Sequence, residues 1–134
     1  MTHDDVQAWL DRYVSAWQSF DADAVRGLFS TDAEYRYHPW DDPVRGIDEI
    51  VHDWLNPGGK PENRDAPGTW SASYRPFAVD AAERRAVVIG ETTYYTDASQ
   101  STELRRYSNN WLLEFDAAGR CTSFVEYYMQ RKKA

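Results

Sequence analysis

Three polar residues interrupt an otherwise apolar C-terminal stretch. Asn109, Asn110 and Glu126 stand among Trp111, Leu112, Phe115, Phe124, Val125 and Tyr127. A carboxyl group held among such neighbours loses hydration, which raises its pKa and equips it to give or take a proton. For Glu126 the plain alternatives are neutralisation by Arg105 or Arg106, or exposure to water. Cys121, the sole cysteine, reads as a small core residue on a strand rather than a nucleophile. His3, His38 and His52 are too scattered to be metal ligands, and the chain carries no Gly-rich phosphate loop and no Gly-x-Ser-x-Gly elbow.

The elements that must position these groups follow from periodicity. Asp116-Ala117-Ala118-Gly119 is a turn between two strands rich in Trp, Tyr, Phe and Val. On the first strand Tyr107, Asn109, Trp111, Leu113 and Phe115 share the buried side. On the second, Cys121, Ser123, Val125, Tyr127 and Met129 oppose Thr122, Phe124, Glu126 and Tyr128. Burial alone favours the first set inward and puts Glu126 in water, while the two common loops for this turn give opposite registers. On the residues alone, that register stays open.

Upstream, Asp4 or Asp5 can cap a helix from Val6 to about Ser19, with Val6, Trp9, Leu10, Tyr13, Val14 and Trp17 as one apolar stripe. Asp23 starts a short second helix that buries Val25, Leu28 and Phe29, and Ser30-Thr31-Asp32 reads as a turn. A strand over Ala33–His38 puts Tyr35 and Tyr37 on one face, and Pro39 ends it. A third helix is predicted over Ile47–Leu55, then a Pro- and Gly-rich loop or lid over Asn56–Gly68. Strands over Thr69–Val79 and Arg85–Thr96 precede the hairpin. Helices followed by a run of antiparallel strands make an α+β layout.

At 134 residues the chain is read as one domain, and 15% aromatic residues suit an aromatic-lined interior. A net charge of −7 argues against nucleic acid and anionic membranes as partners. With one cysteine, no membrane-length apolar run and a polar, acidic N-terminus, a cytoplasmic protein is expected.

In order and spacing, several stretches resemble the nuclear transport factor 2-like superfamily, in its SnoaL-like and ketosteroid-isomerase-like branch. They are Arg12-Tyr13-Val14-x-Ala16, Leu28-Phe29-x-x-Asp32-Ala33, His38-Pro39, Pro43-Val44-Arg45-Gly46 and Phe115-Asp116-x-x-Gly119-Arg120. The resemblance implies a cone: a curved, mostly antiparallel sheet packed on three N-terminal helices around an apolar pocket, usually in a homodimer. It also implies that Phe124, Glu126 and Tyr128 point into the pocket with Tyr107, Asn109 and Trp111. The Val125, Tyr127 and Met129 face then packs outward, against a second subunit.

The same resemblance assigns roles. Tyr13 matches the isomerase tyrosine that donates to the developing enolate oxygen. The isomerase base, an aspartate before a proline, is matched by His38, although an ungapped count from Asp32-Ala33 lands on Tyr37. Asp41 is a distant second choice for that base. The second oxyanion acid falls on Trp111, a departure that counts against steroid isomerisation. The implied protein binds a compact apolar or aromatic small molecule and, as an enzyme, performs cofactor-free isomerisation, cyclisation or dehydration. His38 or Glu126 would move the proton, and Tyr13 and Asn109 would hold the carbonyl oxygen. Trp17, Tyr35, Tyr37, Trp54, Tyr107, Trp111, Phe124 and Tyr128 would shape the cavity. The competing class is a non-catalytic ligand-binding or dimerisation module on the same fold.

Overall fold

The computed structural model describes residues 1–132. The chain opens with helix α1, His3–Ser19. Thr2, rather than Asp4 or Asp5, is its cap: Thr2 and Asp5 bond each other's backbone N–H in a reciprocal capping box. The helix therefore starts three residues before the apolar stripe does. Phe20 ends it in a left-handed conformation. Helix α2, Ala22–Arg26, is capped by Asp21, whose side chain accepts from the Asp23 N–H.

Strand β1 runs over Phe29–Arg36. The expected turn at Ser30-Thr31-Asp32 is instead part of this strand, and the expected strand end at His38 falls outside it. The polar residues explain both readings. Between Phe29 and Glu34 the register with the neighbouring strand slips, so the polar stretch bulges away from the ladder without reversing the chain. A two-residue strand β2, Val44–Arg45, was not foreseen; it pairs antiparallel with β1. Helix α3 covers Ile47–Leu55 as expected and buries Ile50, Val51 and Trp54. The loop after it holds two single 3-10 turns, Pro57–Gly59 and Pro61–Asn63.

The remaining strands are β3 (Trp70–Asp80), β4 (Arg85–Tyr95), β5 (Glu103–Phe115) and β6 (Cys121–Gln130). They form one six-stranded sheet in the order β2-β1-β6-β5-β4-β3, antiparallel throughout except for the parallel β1–β6 pair. The sheet curls without closing, and the helices pack on its concave face. The core lies between them, with Trp9, Phe29, Trp111 and Phe124 each 0–1% exposed. Among the described residues no helix is long and apolar enough to cross a membrane.

The β5–β6 register resolves the question left open by burial. Trp111 lies opposite Glu126, Asn109 opposite Tyr128 and Leu113 opposite Phe124. Glu126 therefore points inward, as the resemblance implies and as strict alternation from Cys121 does not. Cys121 and Phe124 are both fully buried although three residues apart, which is possible because the ladder slips between Glu114 and Phe115. One bulge reverses the facing of every later residue on β6.

Candidate active site

Each element brings one or two polar or aromatic groups to the concave side. Tyr13 and Trp17, one helical turn apart on α1, face the sheet. Trp54 and Asp53 come from the end of α3, Tyr35 from β1, and Tyr37 from just beyond it. The inward row of β5 supplies Arg105, Tyr107, Asn109 and Trp111; Glu126 and Tyr128 stand opposite on β6. Together they line a cavity of about 450 Å³.

Glu126 brings a carboxyl group into this cavity. Asn109 Nδ2 donates to its Oε1 at 3.1 Å, while Oε2 is buried without a hydrogen-bond partner among the described residues. Burial pushes the carboxyl pKa up to about 8, against the opposing pull of the Asn109 bond and the neighbouring Trp111 indole. Trp111 Nε1 also has no hydrogen-bond partner there. Neither Arg105 nor Arg106 neutralises the acid. Arg105 lies over the Tyr94 ring at 4.3 Å, and Arg106 pairs with Glu103 and Glu91 on the other face.

Asn109 is held by a directed chain. Thr92 Oγ1 donates to Asn109 Oδ1 at 2.8 Å, so its single proton is committed, and the Tyr74 hydroxyl at 2.5 Å must donate to Thr92. The amide is thereby turned to present its N–H to Glu126. On the other side, the Tyr13 and Tyr35 hydroxyls lie 2.9 Å apart. Only one proton can sit between them, so the other remains to donate to a ligand. Burial raises the pKa of both phenols, which keeps them protonated donors. Both also sense the charge on Glu126, which places the three groups within electrostatic reach of one another.

Tyr13, Trp17, Tyr35, Tyr37, Trp54, Tyr107, Asn109, Trp111, Glu126 and Tyr128 all line the cavity. Two residues expected there do not. Phe124 is fully buried beneath the lining, stacked on Tyr35 with centroids 4.2 Å apart. His38 stands outside, because β1 ends at Arg36 and the chain has turned away; its ring bonds Asp41 and the Tyr128 hydroxyl instead.

Several lining residues escaped sequence reasoning. Tyr74, Thr92 and Tyr94 sit on the inward rows of β3 and β4, which alternation could have revealed. Asp53 donates nothing to that pattern, yet accepts from the Tyr37 hydroxyl at 2.6 Å. Asp65 comes from the polar loop and accepts from Trp17 Nε1 at 3.1 Å, where burial raises its pKa against the Trp17 bond and the Arg105 charge. Trp17 stacks in turn on Trp70 at 3.6 Å, so the loop is tied to an aromatic pair at the cavity mouth. Among the described residues, no three His, Cys, Asp or Glu side chains come together as a metal site.

A family model described as a SnoaL-like domain matches residues 2–112. Among solved structures, a protein of unknown function with a cystatin-like fold from Methylobium petroleophilum PM1 is similar at 15% identity and a TM-score of 0.63. That alignment covers 99% of this chain and 81% of the other. A protein proposed to be a ketosteroid isomerase, from Kribbella flavida DSM 17836, aligns at 14% identity and a TM-score of 0.64, over 98% and 83% of the two chains. At these identities the likeness is one of fold. Comparison with curated proteins gave no match.

Proposed function

As the chain belongs to the SnoaL-like domain family, we propose that it carries out cofactor-free general acid–base chemistry on a compact apolar or aromatic small molecule. The reaction is an isomerisation, cyclisation or dehydration. The observation that carries this reading is Glu126: a carboxyl in an aromatic cavity, with one oxygen fixed by Asn109 and the other unpaired. With a pKa of about 8, roughly a tenth of it is carboxylate at pH 7.

In the proposed step, Glu126 takes a proton from the carbon beside a ligand carbonyl. The electrons pass to the carbonyl oxygen, which accepts the free O–H of the Tyr13–Tyr35 pair. Hydrogen bonding between the two phenols polarises that donor, and dry surroundings strengthen it at the developing charge. The protonated Glu126 then returns its proton to carbon, completing the exchange with no atom lost.

The test uses 2-tetralone, a bicyclic ketone with acidic C–H groups, and follows α-proton exchange in D2O by NMR. Exchange above the buffer rate is expected for the wild type. Glu126→Gln should slow it about a hundredfold or more, and Tyr13→Phe about tenfold. Exchange unaffected by both substitutions overturns the mechanism.

The competing reading, a non-catalytic binder, is favoured by Trp111, whose indole fills the place where the resemblance expects a second acid. It predicts a bound ligand that remains unaltered on incubation. For assembly, we propose a homodimer through the outer face of the sheet, where Leu112, Tyr127 and Met129 are 45%, 42% and 75% exposed.

A further inference from the structure

His38 follows the end of β1 and is held by a tight turn: the Asp41 N–H donates to the His38 carbonyl at 3.1 Å, and Arg36 Nε donates to the Asp41 carbonyl. Within that turn Asp41 Oδ2 lies 2.8 Å from His38 Nδ1. His38 Nε2 lies 2.9 Å from the Tyr128 hydroxyl, and Tyr128 lines the cavity. Tyr128 is braced edge-on by Tyr107, with ring centroids 5.4 Å apart. It stands two residues beyond Glu126 on the same face of β6, about 7 Å along the strand.

We propose that Asp41, His38 and Tyr128 form a second proton-handling site at the cavity rim, which receives a hydroxyl group of the ligand. This rests on the reading of the cavity as a small-molecule site, and names the ligand class: a compact ring system with a carbonyl at one end and a hydroxyl at the other.

The argument is one of direction. A carboxylate only accepts, so Asp41 draws the imidazole proton to Nδ1 and leaves Nε2 bare. Bare Nε2 accepts the Tyr128 O–H. The Tyr128 oxygen then has lone pairs but no proton to offer the cavity, so it selects a ligand group that donates. A hydroxyl fits; an ether or a second carbonyl does not. When that hydroxyl ionises, its proton passes to the Tyr128 oxygen and the tyrosine's own proton passes to His38 Nε2. The result is an imidazolium beside Asp41, and the reverse transfer restores every atom. Tyr128 is the group that touches the ligand, while His38 and Asp41 act through it. The three side chains are half exposed, where such pairs add little to stability. Their hydrogen bonds run in series from Asp41 through His38 to the hydroxyl of a residue that lines the cavity.

Two measurements on the intact chain test this. Nitrogen-15 NMR of the neutral His38 ring should find the Nδ1–H tautomer, the minor form of free imidazole side chains, and Asp41→Ala should restore Nε2–H. Quenching of tryptophan fluorescence should show 6-hydroxy-2-tetralone binding about tenfold more tightly than 6-methoxy-2-tetralone. Tyr128→Phe should close that gap, and Asp41→Ala should narrow it. An Nε2–H tautomer in the wild type, equal affinities for the two ketones, or binding of neither overturns the proposal. Failure of the acid–base reading appears elsewhere, as 2-tetralone exchange that ignores Glu126→Gln while the hydroxyl preference persists.

Discussion

At the scale of single residues, Glu126 sets the behaviour of the cavity, and its titration should be visible twice. As a base its active form is the carboxylate, so 2-tetralone exchange should climb with pH and level off above about pH 8. Folding stability should move the opposite way. The folded-state pKa lies above the unfolded value of 4.5, so the folded protein holds this proton more tightly. The contribution is full below the unfolded pKa and is lost as pH rises through about 8. Glu126→Gln, with no proton to lose, should remove this slope and be the more stable protein at pH 9, by on the order of a few kcal/mol. Urea melts of both proteins at pH 5 and pH 9 check it. An unchanged slope would mean that the carboxyl is hydrated. The sequence could single out Glu126 as a polar break in an apolar strand, but not its partner. The Asn109 amide is aimed by Thr92 and Tyr74, which are distant in sequence and meet only through strand pairing.

At the scale of elements, two local irregularities decide how Glu126 and Asn109 are presented to the cavity. The bulge near Cys121 turns Glu126 inward, and alternation counted from the hairpin turn could not register it. Regular stretches are legible for the opposite reason: α3 carries a strong stripe of Ile50, Val51 and Trp54 between two loops rich in turn residues, and its expected span of Ile47–Leu55 is the one observed. Gly90 is the second irregularity. It sits in the inward row of β4 opposite Tyr74, and a Cβ there would meet the Ser73 carbonyl oxygen at 2.2 Å and the Tyr74 ring at 2.5 Å. The missing side chain lets Tyr74 lie across the strand and reach Thr92. Gly90→Ala should therefore cost about 1–3 kcal/mol through overpacking and loosen the chain that aims Asn109. Denaturant melts read the first effect, and the Glu126 titration reads the second. At the helix start, Thr2→Ala removes one half of the capping box and should cost about 1 kcal/mol, again by denaturant melt.

At the scale of the whole molecule, the fold class is legible because two helices open the described chain and four long strands follow α3 in succession, whereas the outer surface is legible only in part. Leu112, Tyr127 and Met129 stand on the convex side of the sheet. Leu112→Glu should leave the folding stability of the monomer within about 0.5 kcal/mol of wild type while shifting a dimer towards monomer, measured by light scattering. An unchanged mass would remove this face from the assembly. The strand order carries a different kind of consequence. β6, the last strand described, lies between β1 and β5, and among the described residues it joins the β1–β2 pair to β5, β4 and β3. Residues some ninety positions apart must find each other before the core can shut, as in the Phe29–Cys121 pair. Such non-local pairing is slow, in the millisecond-to-second range. A chain that has made β5 but not β6 carries an unpaired β5 edge, and Trp111 lacks its Phe124 neighbour. Such an edge is a template for pairing with another copy of the chain, so refolding yield should fall as protein concentration rises.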